Sequence, residues 1–328
     1  MYLLTGATGF VGGVLARQLV AAGHSLRAIV RTPAKAIALR ELGVELHLGD
    51  VTDKTSMRAP MAGVAGVFHV AGWYKLGVTA RDRATAEAIN VHGTRNVLEL
   101  MRELGIPKGV YTSTLAVNSD THGQLVDETY RFDGRHLSIY DETKARAHDL
   151  ANEFITGGLP LVIVQPGVIY GPGDTSSLKT TLLQFLQRKL PAIPAKTAFC
   201  WTHVDDVARG HVLAMQRGQA GRSYFICGPV HTMEEGLEVA SDVSGVPMPR
   251  IRLQPGMMRA LSKVTGLIEK FATLPADYAS ETLREMAGTT YIGSNARAKT
   301  ELGWTVRELR DAWAETVRAE LRSAPRDP

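Results

Sequence analysis

The chain begins with a short apolar run that leads directly into closely spaced glycines. Residues 2–4 are followed by a segment that we call the glycine turn, residues 5–13, with the sequence TGATGFVGG. Glycines let a phosphate approach without a Cβ in the way, and a helix that starts there directs its positive end at the ligand. The turn therefore predicts a dinucleotide site. The residues predicted to form it are Gly6, Thr8, Gly9, Phe10 and Val11.

Strand-like and helix-like segments alternate through the first half of the chain. Apolar runs typical of strands are residues 2–4, 26–30, 44–48, 64–70, 109–112 and 161–164. Segments with helical periodicity are residues 11–22, 54–62, 84–104 and 139–156. Strands separated by helices need crossover connections, so the pattern predicts an α/β fold with a doubly wound parallel sheet of the Rossmann type. Ligands bind such sheets beyond the carboxyl ends of the strands.

The regular alternation ends after Pro166, where glycine and proline become frequent. We predict that residues 1–170 form the dinucleotide-binding domain and that segments near 200–227 and 291–322 return to it. Strands near 200–203 and 223–226 are expected to rejoin its sheet. Residues 171–199 and 229–290 are expected to form a smaller, mostly helical lobe that binds the substrate.

Charge and cysteine content exclude several classes of protein. The formal net charge is +4 and the pI is about 9.0, but Lys and Arg are spread without a basic run, so nucleic-acid binding is not predicted. Cys200 and Cys227 suggest neither a disulfide framework nor a metal site. Because no apolar run is long enough to span a bilayer and the first strand follows Met1 directly, we expect a cytoplasmic protein without stable membrane insertion.

One segment of the predicted lobe, residues 256–274, carries apolar side chains at helical spacing. They are Met257, Met258, Leu261, Val264, Ile268 and Phe271. A lid over the substrate or simple core packing explains this pattern and is favoured, with a membrane-surface helix as the alternative.

The end of the second predicted strand indicates which dinucleotide is bound. An acidic residue there would hydrogen bond an adenosine ribose, whereas this chain has Arg31, with Lys35 nearby. A guanidinium can pair with a 2′-phosphate in fork geometry, so NADP is favoured and NAD is kept as the alternative. The alternative to this interpretation is a solvent-facing Arg31 in a loop.

Two further strand ends are candidates for contacts with the same dinucleotide. Asp50 and Val51 follow the third strand, where the carboxylate could reach the adenine; a turn-capping role for Asp50 is the alternative. Val70, Ala71 and Gly72 end the fourth strand, and their small side chains would let the backbone pass close to the phosphates and ribose.

Tyr140 and Lys144 carry the predicted chemistry. They are four residues apart at the start of a predicted helix and so share one face. An ammonium beside a phenol favours the phenolate, so Lys144 is expected to lower the pKa of Tyr140. Such a tyrosine can give a proton to a carbonyl oxygen. The hydroxyls of Thr112, Ser113 and Thr114 emerge at the same sheet edge, although Ser and Thr also cap strands routinely.

These motifs together resemble the extended short-chain dehydrogenase/reductases, which form the NAD-dependent epimerase/dehydratase superfamily. The matching segments are residues 5–12, 90–98, 111–114, 140–144, 166–174 and 203–208. The resemblance implies that Tyr140 is the general acid/base, that Lys144 holds the nicotinamide ribose, and that Thr114 is the third catalytic hydroxyl, with Ser113 as the alternative. It further implies cofactor contacts from Asn90, Thr112, Pro166, Gly167 and Val168. Relatives often dimerise through two long helices, so a homodimer through residues 84–104 and 139–156 is expected.

Within this superfamily, nucleotide-sugar enzymes usually carry an Arg-Asp pair shortly before the segment that is 203–208 here. This chain has Phe199 and Trp201 instead, which removes a charge-assisted clamp for a diphosphate. The chain is more similar to the dihydroflavonol 4-reductase-like and 3β-hydroxysteroid dehydrogenase-like reductases that use NADPH. The expected activity is therefore reduction of a ketone or aldehyde on a small lipophilic substrate.

The predicted substrate pocket is aromatic and aliphatic, although each of its residues could equally fill the core. It comprises Trp73, Tyr74, Leu115, Val117, Ile169, Tyr170, Phe199 and Trp201. Two alternatives remain at this point: an epimerase or dehydratase that keeps its cofactor bound, and a catalytically silent NADP-binding sensor. The presence of Tyr140, Lys144 and Thr114 argues against the sensor.

Overall fold

A computed structural model describes residues 1–75, 80–272 and 274–323, without the side chains of Ala80 and Arg81. The strands are β1 (Tyr2–Thr5), β2 (Leu26–Val30), β3 (Glu45–Leu48), β4 (Gly66–His69), β5 (Gly109–Thr112), β6 (Leu161–Pro166), β7 (Val168–Tyr170), β8 (Ala192–Pro194), β9 (Ala198–His203), β10 (Ser223–Ile226), β11 (Val230–Thr232), β12 (Ile251–Leu253) and β13 (Thr290–Tyr291).

The helices are α1 (Phe10–Ala21), α2 (Ile37–Glu41), α3 (Lys54–Met61), α4 (Ala80–Ala86), α5 (Thr94–Glu103), α6 (Ile139–Thr156), α7 (Ser177–Leu186), α8 (Val204–Arg217), α9 (Met233–Ser244), α10 (Pro255–Ile268), α11 (Ser280–Glu285) and α12 (Leu309–Ser323). The helix expected over residues 84–104 is interrupted by a π-helical segment, Glu87–Gly93, which lies between α4 and α5.

The large sheet has seven parallel strands in the order β3-β2-β1-β4-β5-β6-β10. The strand order reverses between β1 and β4, which leaves a crevice beyond Thr5 and His69. The glycine turn begins at this crevice, because it follows β1 directly. The predicted doubly wound Rossmann-type fold is therefore confirmed, and its ligand-binding edge is the one that carries the predicted motifs.

The sheet is buried on both faces, which explains why its central strands are apolar along most of their length. On β6, Val162 and Val164 pack on one face, in the cluster that contains Leu15 of α1. Leu161 and Ile163 of the same strand pack on the other face, against α5 and α6. The helices thus cover both faces and leave the carboxyl edge open for the site.

A second, smaller sheet is built around β9, which pairs with β7, β11 and β13. The prediction that the strand near 200–203 rejoins the large sheet was therefore wrong. The prediction for 223–226 is confirmed, because β10 pairs in parallel with β6. Because β10 occupies the edge of the large sheet beside β6, β9 pairs with β7 instead. The approach to β9 is close at Gly167, just before β7, where a Cβ would lie only 2.2 Å from the Cys200 carbonyl oxygen. The domain boundaries remain a prediction.

Helix α10 is only partly packed against the rest of the molecule. Met258 is 4% exposed and belongs to a small cluster with Leu283 of α11. On its outer side, Val264 and Leu267 are 54% and 60% exposed, and Phe271, just beyond the end of the helix, is 90% exposed. Simple core packing therefore does not account for this helix. No helix within the described ranges is long and apolar enough to cross a membrane.

Candidate active site

The glycine turn is shaped by close backbone contacts that exclude side chains. Gly6 has φ +72°, and a Cβ on it would lie 2.7 Å from the Ala71 nitrogen. A Cβ on Gly12 would lie 2.1 Å from the Gly6 carbonyl oxygen. Gly9 precedes α1 and provides no side-chain cap, so the positive end of the helix is left for a ligand. This bare turn fits the pyrophosphate of a dinucleotide.

A cavity of about 920 Å³ extends from the glycine turn to the lobe formed by α7, α10 and α11. It brings together most of the predicted site residues. The predicted cofactor and catalytic residues that line it are Gly6, Thr8, Gly9, Phe10, Val11, Arg31, Asp50, Val51, Val70, Ala71, Gly72, Thr112, Ser113, Thr114, Tyr140, Lys144, Pro166, Gly167 and Val168. The predicted substrate residues that line it are Trp73, Tyr74, Leu115, Ile169 and Phe199.

Two of the predicted cofactor residues do not line the cavity. Lys35 is exposed in the turn after β2. Asn90 is 1% exposed, and its amide hydrogen bonds the backbone N–H and carbonyl of Trp73 at 2.7 and 3.1 Å and the Thr143 hydroxyl at 3.0 Å. Asn90 therefore supports the cavity wall from behind.

Tyr170 and Trp201 are corrections to the predicted substrate pocket. Each is 1% exposed, and neither lines the cavity. Their rings pack with Trp313 of α12, at centroid distances of 5.2 and 5.4 Å, and the Trp201 indole N–H donates to the His231 carbonyl oxygen at 2.9 Å. They fill the core beneath the second sheet, where an aromatic residue is as useful as in a pocket. Val117 is likewise absent from the cavity wall.

Tyr140 lies in the first turn of α6, a helix capped by the Ser138 hydroxyl, which accepts from the Asp141 N–H at 3.1 Å. The Thr114 hydroxyl lies beside Tyr140 and acts to lower the pKa of its phenol. Thr114 Oγ1 also accepts from the Ala116 N–H at 3.2 Å. Ser113 instead bonds Nδ1 of His148 at 2.9 Å. The structure thus brings Thr114 to Tyr140 and turns Ser113 away from it.

Lys144 is one helical turn beyond Tyr140 and is 5% exposed. Its Nζ donates to the Thr112 carbonyl oxygen at 2.7 Å and to the Tyr111 hydroxyl at 3.2 Å. Burial lowers the pKa of Lys144 to about 7, because the ammonium loses its hydration.

The pKa of Tyr140 moves in the direction opposite to the one expected from its lysine neighbour. Burial raises this pKa above the ordinary value, and the negative charges of Asp141 and Glu285 act in the same sense. The Thr114 hydroxyl opposes them. Since Lys144 is engaged with Tyr111 and Thr112, desolvation dominates, and Tyr140 stays a protonated phenol.

A polar wall of the cavity was missed by the sequence analysis. Asp141, Thr282, Glu285 and Tyr291 all line it. The Tyr291 hydroxyl donates to Asp141 Oδ2 at 2.8 Å, and burial raises the pKa of Asp141 to about 7 and that of Glu285 well above its usual range. Only Asp141 had a sequence signal, its place directly after Tyr140. The other three lie far along the chain and belong to no motif.

At the adenosine end, Arg31 is exposed on the cavity rim. Asp50 also lines the cavity, but its Oδ1 accepts from the Thr52 N–H and hydroxyl, both at 2.8 Å. Asp50 therefore has a turn-stabilising role whether or not it also contacts adenine.

Comparison with known proteins decides the family. The sequence pattern of the NAD dependent epimerase/dehydratase family matches residues 2–227. The chain belongs to this family. Family membership, together with the reductases and dehydrogenases among its relatives, makes it an NAD(P)-dependent oxidoreductase of the extended short-chain dehydrogenase/reductase type.

Three similar proteins match this family member over nearly its whole length. A Synechocystis protein named provisionally as a dihydroflavonol 4-reductase is 31% identical over 328 residues, covering 96% of this chain and 93% of the relative. Sterol demethylase protein B of Methylococcus capsulatus is 30% identical over 322 residues, 96% of each chain. The crystal structure of gox2253 superposes with a TM-score of 0.85 at 31% identity and covers 98% of each chain.

Proposed function

We propose that this oxidoreductase uses NADPH to reduce a ketone or aldehyde on a small, largely lipophilic substrate. One observation carries the proposal: Tyr140, its hydroxyl partner Thr114 and Lys144 meet on a cavity that begins at the glycine turn. A proton donor and a dinucleotide-binding turn on one cavity are the two components that carbonyl reduction needs.

In this proposal, different residues bind the dinucleotide, donate the proton and stabilise the developing charge. The glycine turn, Arg31 and Lys144 would hold the dinucleotide, which when bound supplies a hydride to the carbonyl carbon. Tyr140 hydrogen bonds the substrate oxygen and gives it a proton as negative charge develops there. Thr114 orients the same hydroxyl and stabilises that charge. Because burial keeps Tyr140 protonated, it acts as the acid in the direction of reduction.

The cavity wall favours a neutral substrate. Trp73, Ile169 and Phe199 supply apolar surface, whereas Asp141 and Glu285 place two buried carboxyl groups near Tyr140. An anionic group on the substrate at this position would be repelled by any charge on these carboxyls. We therefore propose an uncharged carbonyl compound.

Nucleotide-sugar enzymes hold the substrate diphosphate with an arginine that this chain lacks. Most of the basic residues that could replace it lie outside the cavity. Lys179 is paired with Glu320 at 3.0 Å, and Arg188, Lys196 and Arg250 do not line the cavity, although Lys189 does. This arrangement supports a reductase over a nucleotide-sugar epimerase or dehydratase. An epimerase or dehydratase would instead be favoured if cofactor copurified with the protein and turnover needed no added NADPH.

Replacing Arg31 with Ala tests the choice of NADPH. We expect the Kd for NADPH to rise about 10- to 100-fold, because charge-assisted hydrogen bonds to a 2′-phosphate are lost. The Kd for NADH should change by less than about threefold, since NADH lacks that phosphate. Fluorescence titration of both dinucleotides measures the two effects, and an equal loss for both would contradict the proposed preference.

The two neighbouring hydroxyls allow a matched pair of variants. Thr114→Val should lower kcat about 10- to 100-fold by removing the hydroxyl that lies beside Tyr140. Ser113→Ala should lower it much less, because Ser113 bonds His148 instead. Steady-state kinetics on one substrate separates them, and the reverse order would assign the catalytic hydroxyl to Ser113.

The activity itself is tested by a screen for NADPH oxidation against neutral aromatic and alicyclic ketones and aldehydes, with NADH in parallel. We expect turnover with at least one neutral carbonyl compound and little with its carboxylate analogue. Tight NADPH binding without turnover across the panel would instead support a silent NADP-binding sensor. As the resemblance implies, we also propose a homodimer through residues 84–104 and α6. Analytical ultracentrifugation would test whether the protein is a dimer.

A further inference from the structure

A buried chain of polar side chains connects Lys144 to the glycine turn. Its members, none more than 5% exposed, are Lys144, Tyr111, Thr94, His69 and Thr5. Lys144 Nζ donates to the Tyr111 hydroxyl at 3.2 Å, and the Thr94 hydroxyl lies beside that phenol and acts to lower its pKa. Nε2 of His69 bonds the Thr94 hydroxyl at 3.0 Å, and its Nδ1 bonds Thr5 Oγ1 at 2.8 Å. Thr5 Oγ1 also accepts from the Ala71 N–H at 3.2 Å.

The protonation state of Lys144 decides how many of its N–H donors are available to a ligand. A lysine ammonium has three N–H donors, whereas the neutral amine has two. The Thr112 carbonyl and the Tyr111 hydroxyl take two of them. As long as Lys144 donates both of these hydrogen bonds, a third N–H for a ligand in the cavity exists only when the lysine is charged.

The Tyr111 hydroxyl and the Thr112 carbonyl are the groups that stabilise the charge of Lys144, because its titratable neighbours are neutral. Its Nζ lies 4.8 Å from the centroid of the Tyr111 ring, on which the His69 ring stacks at 5.5 Å. On α6, Tyr140 and His148 lie one turn before and after it, and Tyr140 is a protonated phenol. Burial and the charge of Lys144 lower the pKa of His69 to about 3 and contribute to lowering that of His148 to about 4, so both imidazoles are neutral.

We propose that Tyr111 is a positioning residue for dinucleotide binding. Together with the Thr112 carbonyl, its hydroxyl fixes Lys144 and leaves one N–H of the lysine for a ribose hydroxyl. Through Thr94 and His69, Tyr111 also connects this lysine to the glycine turn. The inference rests on the proposed function, in that it assumes Lys144 contacts the dinucleotide. It adds a residue on β5 that lies behind the cavity wall and acts only through Lys144.

Tyr111→Phe tests this role through NADPH binding, measured by nucleotide fluorescence without any substrate. We expect the Kd at neutral pH to rise roughly 10-fold, because one charge-assisted hydrogen bond that holds Lys144 is lost. Losing that acceptor also destabilises the ammonium, so the pH above which affinity falls should move downward. Thr94→Val, which breaks the next link, should show a smaller change in the same direction.

Tyr224→Phe is the matched control. Tyr224 is a fully buried tyrosine on β10 whose hydroxyl accepts from the Gln219 N–H and donates to Glu301, away from Lys144. The Tyr224→Phe variant should bind NADPH with the same affinity and the same pH dependence as the wild type. If Tyr111→Phe does not fold, the wild type still tests the donor count, since its NADPH affinity should fall as rising pH removes the charge of Lys144.

The outcomes separate this inference from the function on which it rests. A wild-type protein that binds neither NADPH nor NADH would overturn the proposed function. Wild-type binding with an affinity and pH profile that Tyr111→Phe leaves unchanged would overturn only the role of Tyr111. Wild-type affinity that does not depend on pH would overturn the donor count.

Discussion

Tyr140→Phe should lower kcat about 100- to 10,000-fold while the Kd for NADPH stays within about threefold. The hydroxyl group is the only part of Tyr140 that the substitution removes, and it is the proposed proton donor to the substrate oxygen. Burial keeps it protonated until the proton is transferred. Stopped-flow or steady-state NADPH oxidation gives kcat, and fluorescence titration gives Kd. Full turnover in this variant would rule out Tyr140 as the acid.

Tyr74 supplies the control for this substitution. It lines the same cavity, its ring lies 4.9 Å from that of Tyr140 in an edge-to-face arrangement, and its hydroxyl bonds Ser177 at 3.2 Å. Tyr74→Phe therefore makes the same chemical change beside the proposed acid. We expect at most about a fewfold change in kcat, because only an exposed hydrogen bond is lost.

Gly12→Ala should remove dinucleotide binding and destabilise the protein. The new Cβ would lie 2.1 Å from the Gly6 carbonyl oxygen, a backbone atom that cannot move without displacing the turn. We expect the free energy of unfolding to fall by about 1–3 kcal/mol and the Kd for NADPH to rise at least about tenfold. Thermal unfolding and fluorescence titration measure the two effects.

Gly13→Ala introduces the same methyl group one residue later. Its Cβ would meet the Ala7 carbonyl oxygen at 3.6 Å, an ordinary contact, and Gly13 lies within α1. We expect unchanged NADPH affinity and a stability equal to or up to about 1 kcal/mol above that of the wild type, because Ala is the better helix former. Equal damage from both variants would show that the close contact at Gly12 is not what matters.

The parts of the site that depend on neighbours in sequence were predictable. The spacing of Gly6, Gly9 and Gly12 after an apolar strand specifies a tight turn into a helix. The four-residue spacing of Tyr140 and Lys144 puts both on one face of α6. Parallel strands then bring these segments to one edge of the sheet, because every crossover returns the chain to the same end.

The errors arose where distant segments compete for the same kind of residue. Trp201 and Tyr170 are apolar aromatic residues beside predicted site motifs, and such residues suit a pocket and a core equally. The packing of α12, through Trp313, places them in the core. Likewise, β9 is as apolar as a strand of the large sheet, and only the position of β10 beside β6 directs it into the second sheet.

The sequence by itself determined the doubly wound sheet, the dinucleotide turn and the face that carries Tyr140 and Lys144, because these follow from local spacing and periodicity. The tertiary structure alone decided that Thr114 rather than Ser113 lies beside Tyr140, that Tyr111 holds Lys144, and that Asp141 and Glu285 line the cavity. These contacts join side chains on different elements. Their distances depend on how strands and helices pack, which no local pattern records.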